Sequence, residues 1–236
     1  VRATTTGAPE QAERGLPDAA LIECIQVTRG FGLDSKVTAV RAASCVIGRR
    51  MRVALTGPSG SGKSTLLHLM AGLDVPTSGA VRWPGLGGPP HARPGTIGVV
   101  FQGPSLITAL NVTENVALPL LLGHVGEQEA VDRAWVALDR LAIGGLGLML
   151  PEQLSGGQAQ RVAVARVLAS RPRLILADEP TGQLDHAAAE MVVSVLLAAA
   201  DELDAALVIS THDPVVADRL PTRWTMSDGV LSSDES

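Results

Sequence analysis

One run of nine residues, Gly57, Pro58, Ser59, Gly60, Ser61, Gly62, Lys63, Ser64 and Thr65, restricts the possible folds more than any other feature of the chain. It fits G-x-x-x-x-G-K-[ST], and the flanks supply the context this pattern requires. Val53 to Thr56 is a short apolar run that predicts a strand. From Gly62 to Ala71, Leu66, Leu67, Leu69 and Met70 recur at helical spacing before Gly72. Strand, glycine-rich turn and helix together make a phosphate-binding loop. The glycines let successive N–H groups turn inward around phosphate oxygens, and the helix start adds about half a positive charge where the anion sits. Lys63 brings a point charge to the β/γ phosphates and Ser64 a hydroxyl to Mg²⁺. Lysine is scarce here, with seventeen arginines against Lys36 and Lys63 alone. At Lys63 the rigid fork of an arginine would serve less well; Lys36 falls in an expected loop.

The rest of the chain alternates strand and helix patterns, which predicts a largely parallel sheet. Arg82-Trp83 and Thr96 to Phe101 look like strands flanking a Gly/Pro-rich connection, Gly85 to Pro94, expected as loop. Between Gln102 and Arg171 the pattern turns helical: Val112 to Leu122 interrupted by Pro119, Glu127 to Leu141, and Gly157 to Ala169, with Gly144 to Gly147 as a break. Leu174 to Ala177 and Ala206 to Ser210 read as buried strands on either side of a helix from His186 to Leu203.

Leu174-Ile-Leu-Ala runs straight into Asp178 and Glu179, which places paired carboxylates at a strand end. Asp178 is expected to hold Mg²⁺ through water, and Glu179 to polarise water in line with the γ-phosphate as general base. A cap or surface role for Glu179 fits less well beside Asp178 and Pro180. The chain has no N-K-x-D element for reading guanine, so the expected nucleotide is ATP.

Several phosphate-loop families share these features, small-molecule kinases among them. Leu154-Ser155-Gly156-Gly157-Gln158, continuing through Arg161 to Arg166, resembles the signature helix of ABC-transporter ATPases. Physically it is a second helix start with exposed amides and the Ser155 hydroxyl, suited to a phosphate that must come from another subunit. The resemblance spans about Leu21 to Leu231. It implies a P-loop NTPase core of RecA-like type with a mostly parallel sheet, an antiparallel β region and a helical subdomain insert. The domain would run over 19–236, with core segments 19–101 and 170–236, the helical subdomain 102–169 and a flexible tail 1–18.

Carried over residue by residue, the resemblance makes Gln102 the Q-loop glutamine near Mg²⁺ and the attacking water. Thr181 to Asp185 becomes the loop that crosses the dimer interface, and His212 the switch histidine on the γ-phosphate; a core or capping role is the usual reading of a lone histidine. Phe31 stands where the family has an adenine-stacking aromatic, with a core role as the alternative. Two copies would pair antiparallel, so that Lys63, Ser64, Gln102, Asp178, Glu179 and His212 of one face Ser155, Gly156 and Gly157 of the other across ATP and Mg²⁺. Membrane-spanning permease subunits would dock in a cleft beside Gln102. Phe101 to Leu122 and Gly182 to Asp185 look like the lipoprotein-releasing and macrolide-export group, whose division-linked relatives transmit force to wall hydrolases, so transport and mechanical signalling both stay open. The interval from Lys63 to Gln102 is short for that group.

Composition bounds the remaining classes. With 236 residues, the chain is too short to carry its own channel, and its longest apolar runs fall short of the roughly 18 residues of a membrane helix. A net charge of −5 argues against a broad nucleic-acid surface. Cys24 and Cys45 lack metal or disulfide spacing and are expected as small buried hydrophobes. The polar start, Val1 to Pro17, carries no secretory pattern. The expected location is cytoplasmic, attached peripherally to the inner face of the membrane through partner subunits.

Overall fold

The computed structural model describes residues 20–32 and 37–233; the expected tail over 1–18 and Lys36 lie outside them. The strand pattern produces a six-stranded sheet in the order β5 (Ile97–Val100), β6 (Leu174–Asp178), β7 (Ala206–Thr211), β3 (Arg52–Thr56), β8 (Thr222–Ser227) and β9 (Val230–Ser233). Neighbours pair in parallel except for the antiparallel β8–β9 edge. The central strands carry continuous apolar runs, Val53 to Leu55 on β3, Leu174 to Ala177 on β6 and Ala206 to Ile209 on β7, because both faces are covered. Along β6, Ile175 and Ala177 enter one hydrophobic core while Leu174 and Leu176 enter the other; on β7, Leu207 and Ile209 oppose Ala206 and Val208 in the same way.

Beyond one face lies a second, antiparallel sheet of three strands in the order β2 (Val37–Gly48), β1 (Ala20–Phe31) and β4 (Ser78–Arg82). It packs with α1 (Lys63–Met70) and Trp224. The other face holds α5 (His186–Glu202) and three mutually packed helices: α2 (Val112–Leu122), α3 (Glu127–Arg140) and α4 (Gly156–Ala169). A short α6 (Pro214–Ala217) follows β7. No helix among the described residues is long and apolar enough to cross a membrane.

The structure corrects three local expectations. Gly85 to Pro94 is not featureless loop: Pro84–Leu86 and Pro90–Ala92 each form one 3-10 turn with proline in its first turn, where a missing N–H costs nothing. Pro119 does not interrupt α2, which continues to Leu122 and closes with the Gly123 N–H on the Pro119 carbonyl. Trp83 falls just outside β4, and its Nε1 donates to the Met70 carbonyl at 2.8 Å, joining the second sheet to the end of α1. Cys24 and Cys45 face each other across β1 and β2, both free, the first buried and the second half-buried. Hydrogen bonding with Cys24, then burial, pushes the Cys45 thiol far above its ordinary range.

Candidate functional site

The C-terminal ends of β3, β6 and β7 lie along one edge of the sheet, and Lys63, the Asp178–Glu179 pair and His212 stand at or just beyond them. The turn after β3 depends on its glycines. Gly57 has φ 145°, and a Cβ there would meet the Met226 carbonyl oxygen at 2.1 Å; Gly62 has φ 102°, and its Cβ would meet the Ala39 carbonyl oxygen at 2.0 Å. Side chains at either position would break the turn against β8 and β2. The Lys63 ammonium folds back over the loop, donating to the carbonyls of Gly57 at 2.8 Å and Pro58 at 3.1 Å.

The start of α1 differs from those of α2, α4, α5 and α6. Asn111 and Glu114 cap α2 reciprocally, Ser155 and Gln158 cap α4, and Asp185 and Asp213 cap α5 and α6. At α1 the cap position is Gly62, with no side-chain cap and no acidic residue in the first turn. Ser61 Oγ is buried there without a hydrogen-bond partner. Unmet donors, a positive helix end and an adjacent ammonium make a seat for phosphate oxygens.

Asp178 is buried, and among the described residues no lysine or arginine pairs with it. A buried carboxylate without a cation, together with the hydroxyl of Ser64, is a donor set suited to a hard divalent ion. Glu179 follows in a left-handed conformation, φ 46°. Its carboxylate lies between two basic side chains, Oε1 3.6 Å from Lys63 Nζ and Oε2 2.8 Å from His212 Nδ1. Backbone strain at this residue and the convergence of three titratable groups are features of reactive sites. His212 is mostly exposed, which sets aside a core role; among the described residues its ring is hydrogen-bonded by Glu179 alone.

Gln102 is exposed just beyond β5. Gln160, which sequence patterning does not single out, anchors that segment: buried on α4, it donates from Nε2 to the Phe101 carbonyl at 3.1 Å. Phe31 is 43% exposed at the end of β1, so it is no core residue, and the Arg29 guanidinium lies 4.6 Å from its ring centroid.

The residues from Ser155 to Gln158 stand apart from this cluster. Ser155 Oγ accepts the Gln158 N–H and Gln158 Oε1 the Ser155 N–H, while Gly156 and Gly157 lie against Gln183 and Leu184. Asp185 is occupied as the cap of α5. Among the described residues, no hydrogen bond or ion pair joins the Ser155 helix start to the loop from Gly57 to Thr65. The Ser155 hydroxyl proton stays free to donate to a ligand from outside.

A family model described as "ABC transporter" matches residues 40–182. The chain is 38% identical over 208 residues to a lipoprotein-releasing system ATP-binding protein LolD of Legionella pneumophila, covering 85% of this chain and 92% of that one. It is 40% identical over 195 residues to the LolD protein of Shewanella denitrificans, covering 80% and 84%. Among solved structures it is similar to the ATP-binding cassette MJ0796 in a dimeric post-hydrolysis state bound to ADP and Pi, with TM-score 0.84, 33% identity and coverage of 91% and 99%.

Proposed function

The chain belongs to the ABC transporter family as an ATP-binding and ATP-hydrolysing subunit, and we propose that it works as a homodimer beneath separate membrane-spanning subunits of the lipoprotein-releasing kind. The observation that carries the dimer is the separation of two phosphate-type helix starts. The Gly62 start of α1 gathers Lys63, Glu179 and His212, whereas the Ser155 start of α4 has no phosphate loop of its own chain within reach of its hydrogen bonds. An antiparallel pair sets each Ser155 start over the partner's loop, in the self-complementary manner of a two-fold interface.

In this reading the loop from Gly57 to Thr65 binds the nucleotide's phosphates and Lys63 meets the β/γ oxygens. Phe31 stacks on adenine by the ring face that Arg29 does not cover. Ser64, Asp178 and Gln102 would hold Mg²⁺, which when bound neutralises charge on the phosphates. Glu179 takes the proton of the attacking water. Its contact with Lys63 gives way as phosphate draws the ammonium, leaving the carboxylate beside His212 to act as base. Ser155, Gly156 and Gly157 of the second copy close the pocket and exclude water.

The membrane partner fits a groove of about 360 Å³ between the β5 end, α2 and α4, with Leu73, Val99, Phe101, Pro119 and Leu122 among its lining residues. Leu73 and Leu122 are largely exposed there. A partner segment seated in this groove touches Phe101, whose carbonyl is tied to α4 by Gln160 and whose neighbour is Gln102. Peripheral attachment at the inner membrane face follows from that docking.

Mixing two inactive variants tests the shared site. Lys63→Ala destroys the phosphate seat and Ser155→Arg destroys the donated helix start, so each alone should lack turnover. Mixed in equal amounts, half of the dimers are hybrids with one intact pocket, and about a quarter of wild-type ATPase should return. Failure of the mixture to recover activity, with both proteins folded, would refute the shared pocket.

A further inference from the structure

Asp178 and Glu179 share a neighbour outside the residues assigned so far. Ser210 lies on β7, paired in register with Asp178 on β6, and has no exposed surface. Its Oγ donates to Asp178 Oδ1 at 2.5 Å. The same oxygen accepts the Glu179 N–H at 3.0 Å, and the Ser210 carbonyl accepts that N–H at 3.1 Å. One hydroxyl therefore spends its only proton on the first carboxylate while a lone pair holds the backbone of the second.

Both attachments bear on the chemistry. With Oδ1 engaged by Ser210, Asp178 cannot rotate freely, and Oδ2 is the oxygen left for a cation or its water. Glu179 has φ 46°, a sparsely populated conformation that persists only where its surroundings hold it, and its N–H is held entirely by Ser210. β7 is apolar from Ala206 to Ile209, and of its two buried hydroxyls the Thr211 oxygen accepts the Asp213 N–H while that of Ser210 is bonded to Asp178 and Glu179.

We propose that Ser210 is a positioning residue that locks the Asp178 carboxylate and the Glu179 backbone to one point, keeping the metal-holding and proton-accepting groups in fixed relation. The proposal rests on the ATP-site reading above and adds to it the residue that sets the metal dependence of that site. A hydroxyl that merely satisfied the core would affect stability alone. A positioning hydroxyl affects how much Mg²⁺ the protein needs, because partners standing behind a metal-holding carboxylate typically change metal affinity by about 10- to 100-fold.

The experiment compares wild type with Ser210→Ala and Ser210→Cys in the full chain, following a fluorescent ATP analogue by titration in EDTA and then across Mg²⁺ concentrations. Thermal melts verify folding. In EDTA the Ala variant should bind within about twofold of wild type, since Lys63 and the glycine loop are untouched. The Mg²⁺ concentration at which binding tightens half-way should rise about tenfold, with kcat at saturating Mg²⁺ falling by a similar factor. The thiol, a weak donor of nearly the same volume, should fall between. A folded Ala variant with the wild-type Mg²⁺ midpoint overturns the proposal. If that variant does not fold, the Cys variant decides, and an unshifted midpoint there overturns it equally. Absence of nucleotide binding by wild type would instead defeat the ATP-site reading, so the two failures are distinguishable.

Discussion

At the scale of single residues, the site is a contest over one carboxylate. Glu179 stands 11% exposed between Lys63 and His212, and the proposed mechanism frees it from the first before it takes a proton from water. Replacing it by Gln keeps the shape and removes the proposed base. Glu179→Gln should lower turnover by about 10²- to 10⁴-fold while ATP still binds, as steady-state ATPase and equilibrium nucleotide binding would show. The dimer should then outlast that of wild type, which size-exclusion in ATP would report. The loop from Gly57 to Thr65 and the Asp178–Glu179 pair were legible because their chemistry follows from residue type and local spacing. Ser210 and Gln160 were not. A serine closing an apolar run reads as the end of a strand, and a glutamine inside a helix reads as surface, until long-range pairing brings Asp178 and Phe101 beside them.

At the scale of elements, the helix starts divide the labour between structure and ligand. Asn115 illustrates the structural kind: buried on α2, its Nδ2 donates to the carbonyls of Ile107, Leu110 and Asn111, and its Oδ1 accepts the Ile107 N–H. It thereby shapes the segment between Gln102 and α2. Asn115→Ala should cost about 2 kcal/mol, a fall of roughly 4–8 °C in a thermal melt. Strands β3, β6 and β7 could be read from sequence because burial on both faces writes a continuous apolar run. The long β1–β2 pair could not be traced residue by residue. Its register shifts, with Gln26 and Ala42 at positive φ, break the period of two that announces a strand. The 3-10 turns after Trp83 escaped notice for a different reason: a single turn leaves no periodicity to detect.

At the scale of the whole molecule, two separate surfaces are proposed for two partners: the Ser155 face for a second copy, and the groove beside Phe101 for a membrane subunit. They can be separated by mutation. Leu122 is 71% exposed in the groove and is not among the residues proposed to bind or hydrolyse ATP. Leu122→Asp should abolish co-purification with the membrane subunits in detergent while the isolated protein keeps its basal ATPase. Retained co-purification would move the docking surface elsewhere.

The bare start of α1 has a thermodynamic consequence for the cell. Helices α2 and α4 bring their own caps, whereas in the proposed site a nucleotide phosphate completes this one. Ligand binding and folding are therefore linked at this point, and mass action makes the protein's resistance to heat and proteases rise and fall with the nucleotide pool. A starved cell would hold a softer engine than a fed one.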